Sequence, residues 1–182
     1  GWQALPADAD TVVGIDVAQV MGSSFLSRAV STVFATAPEL EAPIAELLSR
    51  CQIQLGRDVR HLWIAFGDAP HELVVVANGE LGEERWVSCL QARPESKIWR
   101  GQRTYRARLR RGSAEVWFTF GGPRTLILAP SESWLQNTRD PGASKLASDP
   151  TWRAVVGRVE RNGALWAATR RGALLAQRIS AL

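Results

Sequence analysis

Apolar and polar residues alternate along His61–Ala77, HLWIAFGDAPHELVVVA, and again along Val116–Ala129, VWFTFGGPRTLILA. This is the two-residue rhythm of strands half-buried in a sheet. In each stretch the alternation breaks once, at a turn carrying a proline, Pro70 in the first and Pro123 in the second. Both therefore read as β-hairpins. Trp63 and Phe66 of the first match Trp117 and Phe120 of the second, and a glycine follows each phenylalanine, Gly67 and Gly121. The pair is read as an internal duplication of one hairpin, 61–77 and 116–129.

The rest of the chain arranges itself around these ribbons. Thr11–Val17 alternates as a first strand, with Val13, Ile15 and Val17 on one side and Asp16 on the other. Gly22, Ser23 and Ser24 end it and cap a helix whose stripe is Phe25, Leu26, Ala29, Val30, Val33, Phe34 and Ala37. Pro38 breaks that helix, and Pro43 opens a second one running to Cys51. Glu83 and Glu84 suit the positive end of a short helix through Trp86, Cys89 and Leu90, stopped by Pro94. Ile98–Leu109 is the next strand, followed after the second hairpin by helices at Ser131–Leu135 and, capped by Ser148, Asp149 and Pro150, at Trp152–Val159. A last apolar run covers Ala164–Ala168.

The order strand, helix, hairpin, helix, strand matches the split βαβ, or ferredoxin-like, arrangement. The expected fold is α+β: an antiparallel sheet with helices on one face, a ferredoxin-like core extended by the duplicated hairpin. Residues 1–10, GWQALPADAD, read as an N-terminal tether, residues 11–170 as one domain, and residues 171–182 as a helix or tail. A chain of 182 residues is long enough to bury a core without metal or disulfide staples.

Strand parity then defines an outer face. If Val13, Ile15, Leu62, Ile64, Phe66, Tyr105, Ala107, Leu109, Val116, Phe118 and Phe120 lie under the helices, the other side carries Asp16, Trp63, Ala65, Arg106, Arg108, Arg110, Trp117 and Thr119. Trp63, Arg106, Arg108, Arg110 and Trp117 are the candidate binding residues. Three readings stay open. The face is an ordinary solvated one with local cation–π pairs, an interface for another envelope protein or a second copy, or a surface that stacks bases and holds phosphates. In the split βαβ order Asp16 is expected to pair with one of the arginines.

Charge and composition limit the third reading. Net charge is only +4, and of 22 positive side chains only Lys97 and Lys145 are lysine, so the basicity is modest and its arginine bias fits a GC-rich genome. No apolar run reaches the ~20 residues needed to cross a bilayer as a helix.

Catalytic patterns are not found: no nucleophile beside a base, no carboxylate pair at a recognisable spacing, no glycine-rich phosphate loop. His61 and His71 sit at opposite ends of a strand–turn segment and are read as solvated side chains, and Trp86, Trp134 and Trp152 as core. No enzyme activity, cofactor or metal is expected. Cys51 and Cys89 are too few for a zinc site, and are read either as a disulfide or as two buried thiols.

Two stretches, PADADTVVGIDVAQV and SDPTWRAVVGRV, resemble an uncharacterised family of secreted or lipoprotein domains of the myxobacterial type. In these a PADA-type opening precedes a VVGVD-like strand and an Asp-Pro helix follows the last hairpin. The resemblance implies an exported, non-enzymatic domain of the periplasm or outer membrane, held to the membrane only through an N-terminal anchor. That the chain opens on Gly1-Trp2 rather than methionine is read in the same sense, as the loss of a signal segment.

Overall fold

A computed structural model describes residues 1–21, 23, 49, 51–68, 72–89, 95–108, 115–140, 142–160 and 163–170. The helix expected over 25–37, all of the helix expected over 43–51 but residues 49 and 51, the arginine-bearing turn 109–114 and the tail 171–182 lie outside the described residues.

The chain is α+β, built on one eight-stranded antiparallel sheet. Its strands are β1 (Thr11–Asp16), β2 (Val59–Phe66), β3 (Leu73–Gly79), β4 (Glu95–Trp99), β5 (Gln102–Arg108), β6 (Glu115–Phe120), β7 (Thr125–Ala129) and β8 (Leu165–Thr169), in the spatial order β4-β5-β6-β7-β3-β2-β1-β8. The helices are α1 (Val17–Met21), α2 (Glu83–Cys89), α3 (Glu132–Arg139) and α4 (Pro150–Val156).

Both predicted hairpins form, β2–β3 and β6–β7, and they meet edge to edge through β3 and β7. That central pair sets Val75 opposite Leu128. Each of these holds the same step of its own hairpin, facing Ile64 in one and Phe118 in the other. The sheet therefore repeats itself outward from its middle. β1 flanks β2 as β5 flanks β6, and Gly14 faces Trp63 as Arg106 faces Trp117.

Several expectations are corrected. Ile98–Leu109 is not one strand: Arg100 and Gly101 both take positive φ, 48° and 76°, the signature of a two-residue type I′ turn, and they fold the segment into the β4–β5 hairpin. The split βαβ order is not adopted, because β1 lies antiparallel and directly beside β2, with β8 on its other side. Asp16 consequently stands far from the arginine strand and faces His61.

The third correction concerns the layers. Helices cover both faces. On the face of Phe118 and Tyr105, α2 delivers Trp86 into a cluster with Val59, Ala77, Leu81 and Leu126. The Tyr105 hydroxyl donates to Glu83 at the start of the same helix, and burial raises the Tyr105 pKa first, with Glu83 adding to it. On the opposite face, the one expected to be open, Trp134 and Leu135 of α3 and Trp152 and Val156 of α4 pack on Val12, Ala65, Val74, Val76, Ile127 and Ala129. These helices start where the sequence says: the Ser131 hydroxyl accepts from the Trp134 amide and the Asp149 carboxylate from that of Trp152. α3 ends under Lys145, whose ammonium donates to the Asn137 and Thr138 carbonyls, a cation at the negative end of a helix.

Residues 1–10 are no tether. Leu5 and Ala9 are fully buried in the α3–α4 layer, the Ala7 amide donates to Ser144, and the Trp152 indole N–H donates to the Ala7 carbonyl. The small, polar look of LPADAD hid two apolar anchors spaced to fit beside Trp152.

Gly14 carries a steric role. It lies in one row between Trp63 on β2 and Trp166 on β8. A Cβ there would stand 2.2 Å from the Trp166 indole nitrogen, so the Trp166 ring lies across the glycine. Trp166 is only 7% exposed and has little room to withdraw. Gly14→Ala is expected to destabilise by about 2 kcal/mol through overpacking. Urea unfolding would register this as a lower midpoint at constant slope; an unchanged midpoint would mean that the ring is free to move.

Candidate functional site

The predicted tryptophan–arginine face exists in part. Trp63, Trp117 and Arg106 share a face by strand register, yet Trp63 and Trp117 are separated by β3 and β7 and do not form one surface. Both indoles pack against the α3–α4 core. Arg108 pairs with Glu115 along the β5–β6 ladder, and Arg110 lies outside the described residues.

Around Trp117 the charges are already matched. The Arg106 guanidinium lies 5.6 Å and the Lys97 ammonium 4.9 Å from the Trp117 ring centre. Arg106 donates to Glu115 at 2.9 Å and reaches Glu95 at 3.4 Å, and Lys97 pairs with Glu132. The Glu115 hydrogen bond raises the Arg106 pKa further. Three carboxylates thus surround two cations on one indole, which leaves this patch little net positive field to offer a phosphate.

Trp63 stands in the matching slot of the other half with a different setting. Here the residues opposite the tryptophan and beyond it are Gly14 and Trp166 in place of Arg106 and Glu95. A cleft of about 790 Å³ opens there, walled by Trp2, Trp63 and Trp166, with Asp16, His61 and Glu160 around it. The His61 ring stacks on Trp63, centroids 5.6 Å apart and planes 14° apart, which prolongs the aromatic wall toward solvent. Its Nε2 lies 3.6 Å from the Asp16 carboxylate.

Asp16 is held by local chain geometry. It ends β1 and caps α1, accepting the Gln19 amide at 3.0 Å on one oxygen and the Gln19 side-chain amide at 3.1 Å on the other. The β1-to-α1 junction thereby fixes a carboxylate at the cleft edge, with one hydrogen bond accepted on each oxygen. Glu160 follows α4, and its side chain has no hydrogen-bond or ion-pair partner among the described residues.

Sequence reading found Trp63 and Asp16 but not their companions. Trp166 lay in an unassigned apolar run and Trp2 in an assumed tether; only the pairing of β8 with β1 brings them together. The clue available in advance was Gly14, a glycine inside a strand, which marks a close approach.

Cys51 and Cys89 are joined by a disulfide, with Cα atoms 5.0 Å apart. Among the described residues, no group of three or more His, Cys, Asp or Glu side chains is placed to hold a metal, and no helix is long and apolar enough to cross a membrane.

No protein-family model matches the chain, and no curated protein is significantly similar to it. Among solved structures, crystal form I of TP0453 is similar, with a TM-score of 0.45 and 14% identity over 72% of this chain. The match spans 45% of the TP0453 chain.

Proposed function

We propose that this chain is a non-catalytic binding domain of the cell envelope whose ligand site is the tryptophan-walled cleft at the β2–β1–β8 end of the sheet. The observation that carries this reading is the concentration of three of the eight tryptophans around a single cavity. Apolar walls with a few fixed polar groups are the usual makeup of a small-ligand site. Asp16 and His61 lie within reach of each other, but among the described residues the cleft lining supplies no serine, cysteine or lysine for them to activate, so binding is the reading favoured over catalysis. The envelope assignment draws on the family resemblance and on the Cys51–Cys89 disulfide, a bond suited to an oxidising compartment. The polyanion reading of Arg106, Arg108 and Arg110 finds no comparable support, given the carboxylates around Arg106.

Labelling the tryptophans with 5-fluorotryptophan and screening a fragment library by fluorine NMR tests the proposal. Hits are expected to shift the resonances of Trp2, Trp63 and Trp166 and to leave that of Trp86, on the other face of the sheet, in place. Hits that cluster elsewhere would remove the cleft from consideration.

We also infer that the two hairpins descend from one ancestral ribbon. The shared Trp-x-x-Phe-Gly pattern and the equivalent placing of Val75 and Leu128 at the centre of the sheet support this.

A further inference from the structure

β2 is irregular at its start. Val59 pairs with Gly79 and His61 with Asn78, so Arg60 is an extra residue without a partner on β3, which makes a β-bulge. A regular strand would send Arg60 and His61 to opposite faces of the sheet. Here both are exposed and both line one cavity of about 560 Å³, together with Asp16, Ala18, Gly56 and Arg57. The chain just before the bulge fixes Arg57 in place. The buried Asp58 carboxylate accepts from the Gln54 amide, from Nε and Nη2 of Arg57 and from Nη2 of Arg85. Gly56 takes a positive φ of 84° in this turn, and its amide donates to the Val59 carbonyl. Arg57 is thereby pinned along one edge of its guanidinium, and its Nη1 takes no part in these bonds.

We propose that this cavity is an anion site for a phosphate group, held by the Arg57 and Arg60 guanidiniums and the His61 ring. It is distinct from the tryptophan cleft, with which it shares the wall formed by Asp16 and His61, and it does not depend on that cleft taking a ligand. Two guanidiniums and an imidazole reach the cavity from separate points of the chain. That arrangement suits the several oxygens of a tetrahedral phosphate better than the two of a planar carboxylate, which a single guanidinium fork can satisfy. The charge balance also permits it. One carboxylate, Asp58, is shared by Arg57 and Arg85, and Arg60 has no hydrogen-bond or ion-pair partner among the described residues. The Asp16 carboxylate works against an anion, and its bonds from Gln19 and its closeness to His61 offset that charge. The bulge and the Asp58 node are set before any ligand arrives, which lowers the cost of ordering the site.

A phosphate group is common to free phosphates and to phospholipid headgroups, and titrations at fixed ionic strength distinguish the two sources. The probes are sodium pyrophosphate and phosphatidylglycerol vesicles. Pyrophosphate is expected to bind saturably, and Arg60→Gln, a change at an exposed position, to weaken it about tenfold while leaving the thermal midpoint unchanged. Arg60→Lys keeps the charge without the fork and is expected to recover only part of that loss. Arg153→Gln removes the same charge from an exposed position on α4 and is expected to leave pyrophosphate binding as it is. Vesicle binding that pyrophosphate displaces, and that Arg60→Gln weakens, identifies a lipid headgroup as the source; pyrophosphate binding without vesicle binding identifies a free phosphate. Equal losses in Arg60→Gln and Arg153→Gln would show attraction by net charge alone and overturn the site, as would the absence of saturable pyrophosphate binding.

Discussion

Replacing Cys51 and Cys89 together by serine is expected to lower the unfolding free energy by about 4 kcal/mol. The bond closes a loop with a sequence separation of 38, and most of the effect is the conformational freedom that the unfolded chain regains without the link. The loop closed this way contains β2 and β3, the inner hairpin of one half of the sheet. Its two ends also meet elsewhere: Arg85 of α2 donates to the carbonyls of Cys51 and Gln52, the latter at 2.6 Å. Folded-state packing near Cys51 is therefore retained when the sulfurs are removed, and the loss should appear in the unfolding midpoint and not in the native tryptophan spectrum. Chemical denaturation of the oxidised protein, the reduced protein and the double serine variant checks this. Equal midpoints for all three would show that the crosslink does not restrict the unfolded chain.

Asp58→Asn is expected to cost about 2 to 3 kcal/mol at neutral pH. Asp58 is 3% exposed and its carboxylate gathers donors from three places: the Arg57 guanidinium at 2.8 Å, the Gln54 amide at 2.9 Å and Arg85 at 3.1 Å. The figure stays below that for a fully enclosed ion pair because Arg57 and Arg85 are themselves 61% and 40% exposed. The Arg57 hydrogen bond, followed by that of Gln54, holds the Asp58 pKa far below the ordinary carboxylate range. A pKa lowered on folding adds stability above the unfolded value near 4, and that stability drains away as the pH falls toward the folded value. The wild-type protein should therefore lose stability on acidification below about pH 4, and the gap to Asp58→Asn should narrow over the same range. A gap that stays constant down to pH 2 would show that Asp58 acts through shape and not charge. Since Arg85 bridges Asp58 and the Cys51 carbonyl, the Asp58 and cysteine changes should be non-additive in a double-mutant cycle.

Strand parity was legible from sequence to the level of single residues. Alternation alone put Trp63, Trp117 and Arg106 on one side and Phe66, Phe118 and Tyr105 on the other, and the register agrees. What alternation cannot carry is which side a helix takes. α2 after β3 and α3 after β7 follow similar hairpins yet pack on opposite faces; each buries a tryptophan, and a buried tryptophan in a short helix looks the same whichever face receives it. Neighbours distant along the chain were equally out of reach. The Thr11 and Thr169 hydroxyls hydrogen-bond across a separation of 158 residues, and the cleft depends on that juncture. The type I′ turn at Arg100-Gly101 left a visible mark in its glycine, but the arginine stripe next to it drew the reading toward one continuous strand.

The position of β8 has a consequence for how the protein is made. The half containing β4, β5, β6 and β7 is contiguous in the chain, so it can assemble as it leaves the ribosome. β1, by contrast, keeps one bare edge until Leu165–Thr169 has been translated, long after β1 itself. During that interval Val12–Ile15 is an unshielded template for misassociation. Synthesis of this chain should thus depend on holdase chaperones until Leu165–Thr169 has emerged, and a truncation before Leu165 should yield aggregates instead of a smaller folded domain.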